Sequence, residues 1–385
     1  MQFFEFTEEQ KMLRKAVREF VDAEIAPKAA EWDDQDVCPT ELFKKMGEVG
    51  ICGVAAPPEL GGSGLGIIGR AICLEEIGRH SGGLGIAMMC HTMGIYMLHT
   101  FGTEEQKKKY VPDAIAGKKI ASFAATEPGG GSDFGGQKTT AEKKDGGWVL
   151  NGRKCFITNA HNGDVFVITA KSGEDEKGRA KLSAFIVEKG TPGFEAGRKE
   201  HKMGLRGSVT GDLVLTNVKI PEGNIVGKEG DGMKIGLGGI GELGRAGMSA
   251  IAVGILRGCL EEAIKFSNER IVGGKPIAKY QAVQLEIAKI RTLYEAARLL
   301  TYYAVSVKDA GIPATNDVCI AKYYSTEAAV EASKRLIDLM GGYGIINEYP
   351  AGRFLRDALT TIPSGATTPI VQTIIAAGTL SGFQP

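Results

Sequence analysis

Hydroxyl groups and a run of glycines stand together in the segment FAATEPGGGSD, residues 123–133. Thr126 and Ser132 supply the hydroxyls, and the glycines between them carry backbone amides that no side chain shields. Such a loop can donate hydrogen bonds to the polar edge of a ring or to a phosphate. The residues alone leave two interpretations open: a ligand-binding loop and an ordinary glycine-rich turn.

A second glycine segment, GLGGIG at residues 236–241, matches the spacing GxGxxG. A dinucleotide site with this spacing must follow a strand and open a helix within a βαβ unit. The surrounding pattern provides no parallel strand after it. We therefore favour the interpretation that these small residues let helices pack closely.

Two titratable side chains lie in the methionine-rich segment MMCHTM, residues 88–93. His91 has an unperturbed pKa suited to proton transfer near neutrality. Alternatively, it is a polar filler that hydrogen-bonds a carbonyl group. Cys90 is a pocket-lining candidate, although a lone thiol is more often a small buried hydrophobe.

The periodicity along the chain predicts the elements that position these residues. A capping box, Thr7 to Gln10, begins a helical pattern that continues to about residue 120. Short β-rich runs follow, with Asn151-Gly152 predicted as a two-residue hairpin turn, and helical periodicity returns near residue 233. The prediction is an α+β fold with an N-terminal helical domain (1–120), a central antiparallel β-domain (121–232) and a C-terminal helical bundle (233–385).

Composition excludes some classes of function. The chain has 385 residues, with 46 Lys plus Arg against 46 Asp plus Glu, so it lacks the basic surface typical of nucleic-acid binding. It has no uncharged run as long as the roughly 18 residues of a spanning helix, which predicts no membrane insertion. The 7 cysteines form no CxxC pair, so we expect no metal site and reduced thiols in a cytoplasmic protein.

Five segments, in order and covering nearly the whole chain, resemble the acyl-CoA dehydrogenase family. They are FAATEPGGGSDFGG (123–136), WVLNGRKCFITNA (148–160), HKMGLRGSVTGDLVLTNVKIP (201–221), NERIVGGKPIAKYQAVQ (268–284) and DLMGGYGIINEYPAGRFLRDA (338–358). The resemblance implies helical, β-barrel and four-helix-bundle domains, a homotetramer with one FAD per subunit, an acyl-CoA substrate, and electron transfer to an electron-transferring flavoprotein.

The resemblance also implies site residues. The central domain would bind FAD through Phe123, Ala125, Thr126, Gly131, Ser132, Phe156 and Thr158. Arg270 would reach the FAD pyrophosphate, Gln281 with Gly341 and Gly342 would act from a neighbouring subunit, and Thr367 would touch FAD near the C-terminus. The substrate would contact Ser132, Cys90, Glu242, Arg245 and Ala366, with Arg245 against the CoA moiety.

The chain departs from this family where the catalytic base belongs. Most members carry a glutamate before a Gly-Thr pair near the C-terminus, where this chain has Gly365, or Ser364 if the match shifts by one residue. Other members carry the base directly before the CoA-binding arginine, where this chain has Gly244. Pro363 and Pro369 bracket the first gap, which predicts a reshaped loop. His91 is then the expected base.

Three functions remain open from the sequence. The favoured one is a dehydrogenase or reductase for a cyclic or unsaturated acyl-CoA, with His91 as a relocated base. A non-oxidative desulfinase-like lyase would also lack the glutamate, but it would need an arginine for an anionic acyl end, and the matching position is Gly85. The third is a binding or assembly protein that retains FAD without chemistry, which the intact flavin motifs do not favour.

Overall fold

The computed structural model describes residues 5–382, except the side chain of Glu242. The N-terminal part is helical, as predicted, and α1 begins at the capping box, with the Gln10 amide 3.2 Å from the Thr7 hydroxyl oxygen. Its helices are α1 (Glu8–Phe20), α2 (Ala29–Gln35), α3 (Glu41–Glu48), α4 (Gly66–Gly78), α5 (Gly82–Phe101) and α6 (Glu104–Ile115). Helix α5 is buried on nearly every side, so it forms the centre of this part.

The central part is a mixed sheet. Its strands are β1 (Ala121–Ala124), β2 (Thr140–Lys144), β3 (Gly147–Thr158), β4 (Val165–Glu174), β5 (Ala180–Glu188), β6 (Phe194–Lys199), β7 (Thr210–Pro221) and β8 (Ile225–Val226). The order is β6-β7-β3-β2-β4-β5-β8, and β1 also pairs with β4. The predicted antiparallel barrel therefore needs correction, because β1 and β2 run parallel to β4 and the path does not close within the described residues.

The predicted hairpin turn at Asn151-Gly152 is wrong. Strand β3 is continuous through both residues, and its pairing with β7 shifts register between Leu150 and Gly152. The turn from β2 to β3 lies instead at Asp145 and Gly146, whose φ angles are 50° and 75°. Two left-handed residues suit a tight hairpin, whereas a single extra residue within a strand produces a bulge.

The C-terminal part is a helical bundle. Its helices are α7 (Gly232–Leu237), α8 (Arg245–Glu269), α9 (Gln281–Asp309), α10 (Thr315–Met340), α11 (Ala351–Thr361) and α12 (Thr368–Gly382), with a small hairpin of β9 (Ile271–Val272) and β10 (Lys275–Pro276). A π-helical segment, Gly238–Gly244, joins α7 to α8. The helical stretch Gly232–Glu269 is apolar and long enough to cross a membrane, but 94% of its most apolar window is buried, so it is a core helix.

The GxGxxG segment lies within these helices, and this confirms the close-packing interpretation. A Cβ atom on Gly239 would lie 1.9 Å from the Met97 Cε atom, and one on Gly236 would lie 2.2 Å from the Phe134 ring. The strand before it, β8, pairs antiparallel with β5, so there is no βαβ unit here.

Buried ion pairs fix the first helices to the bundle. Glu75 and Glu76 on α4 are almost fully buried. Arg14 of α1 donates to Glu76 at 2.9 Å, and Arg257 of α8 donates to the same carboxylate at 2.8 Å. Tyr302 of α9 donates to Glu75 at 2.5 Å. Because four helices meet at these two carboxylates, α4 and the adjacent α5 have a fixed position relative to α8.

Candidate active site

Hydrogen bonds attach strand β1 and the glycine-rich loop after it to β3. The Cys155 amide donates to the Thr126 carbonyl at 2.9 Å, and the Ser122 hydroxyl donates to the Thr158 carbonyl at 2.7 Å. These bonds bring Thr126 and Thr158 to the same end of the sheet. The two segments that the resemblance assigned to FAD are therefore neighbours in space.

The buried side chain of Lys154 forms hydrogen bonds to this loop from the protein interior. Its side chain has no exposed surface, and its ammonium donates to the Ala125 carbonyl at 3.1 Å, to Glu127 at 2.7 Å and to Gln137 at 2.8 Å. Burial lowers the pKa of Lys154 to about 8, although the Glu127 carboxylate opposes that shift. Burial would raise the pKa of Glu127, but hydrogen bonds from Lys154, Thr139 and the Lys138 amide lower it overall. One buried ion pair thus fixes both ends of the loop.

Phe156 presents an aromatic face next to this loop. It has φ of 57°, and the pairing of β3 with β7 shifts register between Lys154 and Ile157. This bulge turns the ring outward, where it is 64% exposed. Cβ atoms on Gly129 and Gly130 would meet nothing within 4 Å, so the loop is open on the outer side. An exposed ring beside a glycine-rich loop that is open on its outer side fits a planar cofactor such as flavin.

The remaining residues expected at FAD lie elsewhere. Arg270, Gln281 and the Gly341–Gly342 pair lie at the same end of the bundle, where α8 and α10 end and α9 begins. The Arg270 guanidinium lies 5.2 Å from the centre of the Tyr343 ring. Thr367 is exposed just before α12. No described contact joins this group to the loop after β1, so its contribution from a neighbouring subunit stays a prediction.

The two positions at which relatives would place a base lie against each other, and both are glycines. A Cβ atom on Gly365 would be 3.5 Å from the carbonyl carbon and oxygen of Gly244. Gly365 has φ of 72°, a conformation that disfavours other residues, whereas Gly244 is helical with φ of −65°. Ser364, the alternative match, donates its hydroxyl to the Thr360 carbonyl at 2.9 Å. No carboxylate therefore projects from position 244, 364 or 365.

Lys322 supports the loop that contains Gly365. Its side chain is fully buried, and its ammonium donates to the carbonyls of Ile362 and Ala366, at 3.1 Å to the latter. Ala366 has φ of 150°, which is unfavourable for a residue with a Cβ atom. The loop between the two prolines is thus held in an irregular conformation.

Arg245 begins α8 beside this loop. It is 7% exposed, and its Nη1 donates to the Cys319 sulfur at 3.5 Å. Its Nε atom has no hydrogen-bond partner. Glu242, the other member of the expected ELGR motif, has its side chain outside the described residues.

The structure corrects the prediction that His91 is the base. Its Nε2 lies 3.1 Å from the Ala114 carbonyl, and its Nδ1 accepts from the Ala121 amide at 3.0 Å. The ring is completely buried and packs edge-on against Phe43. Burial lowers the pKa of His91 to about 4. With both nitrogens bound to backbone, the neutral ring connects α6 to β1 and offers no free atom to a substrate.

Cys90, one residue earlier, faces the predicted site. It is 8% exposed, and burial raises the pKa of its thiol to about 11, although a hydrogen bond with Thr158 opposes this shift. The contact with Thr158 brings α5 against the end of β3. Cys90 is therefore placed to line a pocket there, as a protonated thiol near neutrality.

Sequence reasoning missed two buried lysines, Lys154 and Lys322. Lys322 could have been found, because it interrupts the apolar and small residues at 318, 321, 325 and 329 on one face of α10. Lys154 could not, because strand alternation places it on the same face as Phe156, and only the bulge separates them.

The comparisons with known proteins agree with this geometry. The acyl-CoA dehydrogenase N-terminal domain matches residues 7–118, the middle domain residues 122–218 and the C-terminal domain residues 230–380. An acyl-CoA dehydrogenase of Bacillus subtilis is 41% identical over 98% of this chain and 99% of its own length. The caffeyl-CoA reductase-Etf complex subunit CarC of Acetobacterium woodii is 39% identical over 97% of this chain and 99% of its own.

The fold agrees as well. The solved structure of butyryl-CoA dehydrogenase from Megasphaera elsdenii superimposes with a TM-score of 0.94 at 34% identity, covering 98% of this chain and 100% of that one. Together, the three matched domains and the shared fold lead to one conclusion. The chain belongs to the acyl-CoA dehydrogenase family of FAD-dependent oxidoreductases, which act on CH–CH bonds.

Proposed function

We propose that this enzyme oxidises or reduces an unsaturated or cyclic acyl-CoA thioester, using FAD and without a carboxylate base over the α-carbon. The observation that carries the proposal is the contact between Gly365 and Gly244. Both positions at which the family places its glutamate lie together, and neither has a side chain. Positioned acid–base catalysis contributes about 10²- to 10⁴-fold. A saturated straight-chain thioester, which must lose its α-proton, is therefore a poor substrate for this site.

An acyl group that already contains a double bond, in a ring or in an open chain, relaxes this requirement, because a 1,4-elimination takes the proton from a carbon further along the chain than the α-carbon. When bound, FAD accepts or supplies the hydride. Phe156 and the loop at 126–132 would hold the ring system, and Lys154 fixes that loop through Glu127. Cys90, a thiol with its pKa raised to about 11 by burial, can give a proton in the reductive direction more readily than it can remove one.

The comparisons support this substrate class. The Acetobacterium woodii relative is named for the reduction of caffeyl-CoA, whose acyl group is unsaturated. The structure does not support the desulfinase-like alternative. A Cβ atom on Gly85 would lie 3.1 Å from the Ile251 side chain, so an arginine there would meet packed core instead of an acyl end.

We also propose an electron-transferring flavoprotein as redox partner, a homotetramer and a cytoplasmic location. The electron-transferring flavoprotein is supported by the Acetobacterium woodii relative, which is named as a subunit of an Etf complex. The homotetramer is supported by apolar side chains that the single chain leaves uncovered: Leu299 and Tyr303 of α9 are 54% and 55% exposed, and Leu380 of α12 is 89% exposed. Seven buried, unpaired cysteines suit a reducing compartment.

The test is an anaerobic titration of the FAD-loaded protein with saturated straight-chain, cyclic and unsaturated acyl-CoA thioesters. Oxidised enzyme is mixed with saturated and cyclic thioesters, and dithionite-reduced enzyme with enoyl thioesters, while flavin absorbance is followed. We expect rapid bleaching by a cyclic thioester that already contains a double bond, or rapid reoxidation by the conjugated dienoyl thioester that its 1,4-elimination would produce. Equally rapid bleaching by butyryl-CoA would contradict the proposal. Consumption of thioester without any change in flavin absorbance would indicate lyase chemistry.

A further inference from the structure

Three buried cations surround the empty base position. Arg245 is 7% exposed, with one bond to a sulfur atom and an unpartnered Nε. Lys322 has no exposed surface and donates only to the carbonyls of Ile362 and Ala366. Arg70 is 2% exposed and donates to the Thr92 hydroxyl and to the carbonyls of Leu243 and Met89.

None of these cations forms an ion pair within the described residues, whereas several other buried charged residues do. Arg14 and Arg257 pair with Glu75 and Glu76, and Lys154 pairs with Glu127. Buried charges in proteins are normally paired, because removing an ion from water without a counter-charge is unfavourable. The cluster at Arg245, Lys322 and Arg70 therefore lacks a negative charge that an interior of this kind normally contains.

The structure also leaves space for that charge. A Cβ atom on Gly241 would lie 3.7 Å from Arg245 Nη1, which is ordinary van der Waals contact. Cβ atoms on Gly244 and Gly365 would likewise meet nothing nearer than 3.6 Å and 3.5 Å. These three glycines belong to the π-helical segment and to the loop between Pro363 and Pro369, and π-helical turns often occur at functional sites.

We propose that a carboxylate brought by a ligand occupies the space beside Arg245 that these glycines leave. This deepens the proposed function and rests on it, because it names a substrate class for the same site: an acyl-CoA whose acyl chain carries its own carboxylate. A free small carboxylate has the same chemistry, and the experiment separates the two sources. The guanidinium of Arg245 would supply charge-assisted bonds through Nε and the Nη atoms.

The first experiment measures dissociation constants on the FAD-loaded enzyme from the perturbation of flavin absorbance. Glutaryl-CoA is compared with pentanoyl-CoA, which has the same number of acyl carbons and no carboxylate. We expect glutaryl-CoA to bind at least about tenfold more tightly, as for one charge-assisted contact. If acetate at constant ionic strength instead tightens the binding of pentanoyl-CoA, the occupant of the space is a free carboxylate.

The decisive variant is Gly241→Asp, with Gly241→Asn as its matched neutral control. An aspartate at this position would face Arg245 Nη1 and compete with the ligand carboxylate. We expect Gly241→Asp to abolish the preference for glutaryl-CoA over pentanoyl-CoA and Gly241→Asn to keep that preference. Arg245→Met should abolish it as well, and bound-flavin absorbance verifies that each variant is folded.

Other outcomes would overturn the inference. Equal affinity for glutaryl-CoA and pentanoyl-CoA with no effect of acetate would do so. A stronger preference for glutaryl-CoA in the Glu242→Gln variant would also overturn the inference, because Glu242 would then be the natural counter-charge of Arg245. Because these are binding measurements, they are independent of turnover. Flavin that no thioester bleaches or reoxidises would refute the proposed function, and a carboxylate preference in the same samples would still be seen.

Discussion

Gly365 lies directly against Gly244, at the distance of an ordinary van der Waals contact between the Gly244 carbonyl and a Cβ atom added to Gly365. The two positions at which the family resemblance implies a catalytic glutamate therefore lie next to the same space. A carboxylate side chain at position 244 or at position 365 could reach this space, and this chain has a glycine at both positions.

The backbone at these positions predicts which substitution restores a base. Gly244 is helical and its added Cβ atom would meet nothing nearer than 3.6 Å, whereas Gly365 has φ of 72°. We expect Gly244→Glu to raise dehydrogenation of butyryl-CoA by about a hundredfold. Gly365→Glu should give no comparable gain and should cost about 1–2 kcal/mol of stability, because its side chain would require a left-handed conformation. The assay is anaerobic flavin reduction by butyryl-CoA.

Gly244→Gln is the control for this experiment, because it has nearly the same shape without a basic carboxylate. A comparable gain in the glutamine variant would show that the effect comes from altered packing. A large gain in Gly365→Glu alone would show that the loop between Pro363 and Pro369 has the ordinary family shape.

His91 should be a structural residue. Replacing it with alanine removes a buried ring that bonds the Ala114 carbonyl and the Ala121 amide. We expect His91→Ala to lower the free energy of unfolding by about 2–4 kcal/mol. Turnover per bound flavin, with the best unsaturated thioester, should stay within about threefold of the wild type, because general-base loss would cost about a hundredfold or more. A hundredfold loss in folded, flavin-loaded protein would restore His91 as the base.

His91 also predicts a pH dependence of stability. Burial lowers its pKa from 6.5 to about 4 in the folded protein. Between these values the unfolded chain binds a proton that the folded chain does not, so stability falls as pH falls from 6.5 towards 4. The full loss is about 3 kcal/mol for this shift.

A second buried group acts in the opposite direction over nearly the same range. Burial raises the pKa of Asp357 from 3.8 to about 6, so its contribution to stability rises as pH falls. The effect of His91 must therefore be taken as the difference between wild type and His91→Gln, from denaturant unfolding at pH 7 and pH 4.5. A difference independent of pH would show that the ring is not buried in the neutral state.

The sequence predicts the helix, sheet, helix order, because periodicity is a local property. The residues alone leave the glycine-rich loop open between a binding loop and an ordinary turn, and its flavin role is implied by the family resemblance. The sequence does not predict what His91 does. The same residue pattern fits a pocket base and a backbone-bound ring, and only the packing of α6 and β1 around α5 distinguishes them. The parallel pairing of β1 with β4 and the bulge at Phe156 were missed for a similar reason, because both depend on contacts between distant segments.

Lys154 should control flavin retention. Removing its ammonium would leave the Glu127 carboxylate buried without its counter-ion, which costs about 3–5 kcal/mol in comparable pairs. We expect Lys154→Met to weaken FAD binding by more than about tenfold, because one tenfold step is only about 1.4 kcal/mol. Equilibrium dialysis of the flavin is the measurement. Lys154→Met combined with Glu127→Gln should recover part of the loss, and no change in either variant would contradict this role.

The most direct test of the central claim is α-proton exchange in D₂O. Butyryl-CoA is incubated anaerobically with the oxidised holoenzyme, and loss of the α-proton signal is followed by NMR. An enzyme with no carboxylate at positions 244 and 365 should exchange this proton at least about a hundredfold more slowly than Gly244→Glu. Exchange in the wild type as fast as in that variant would show that a base already lies over the α-carbon, and would contradict the account.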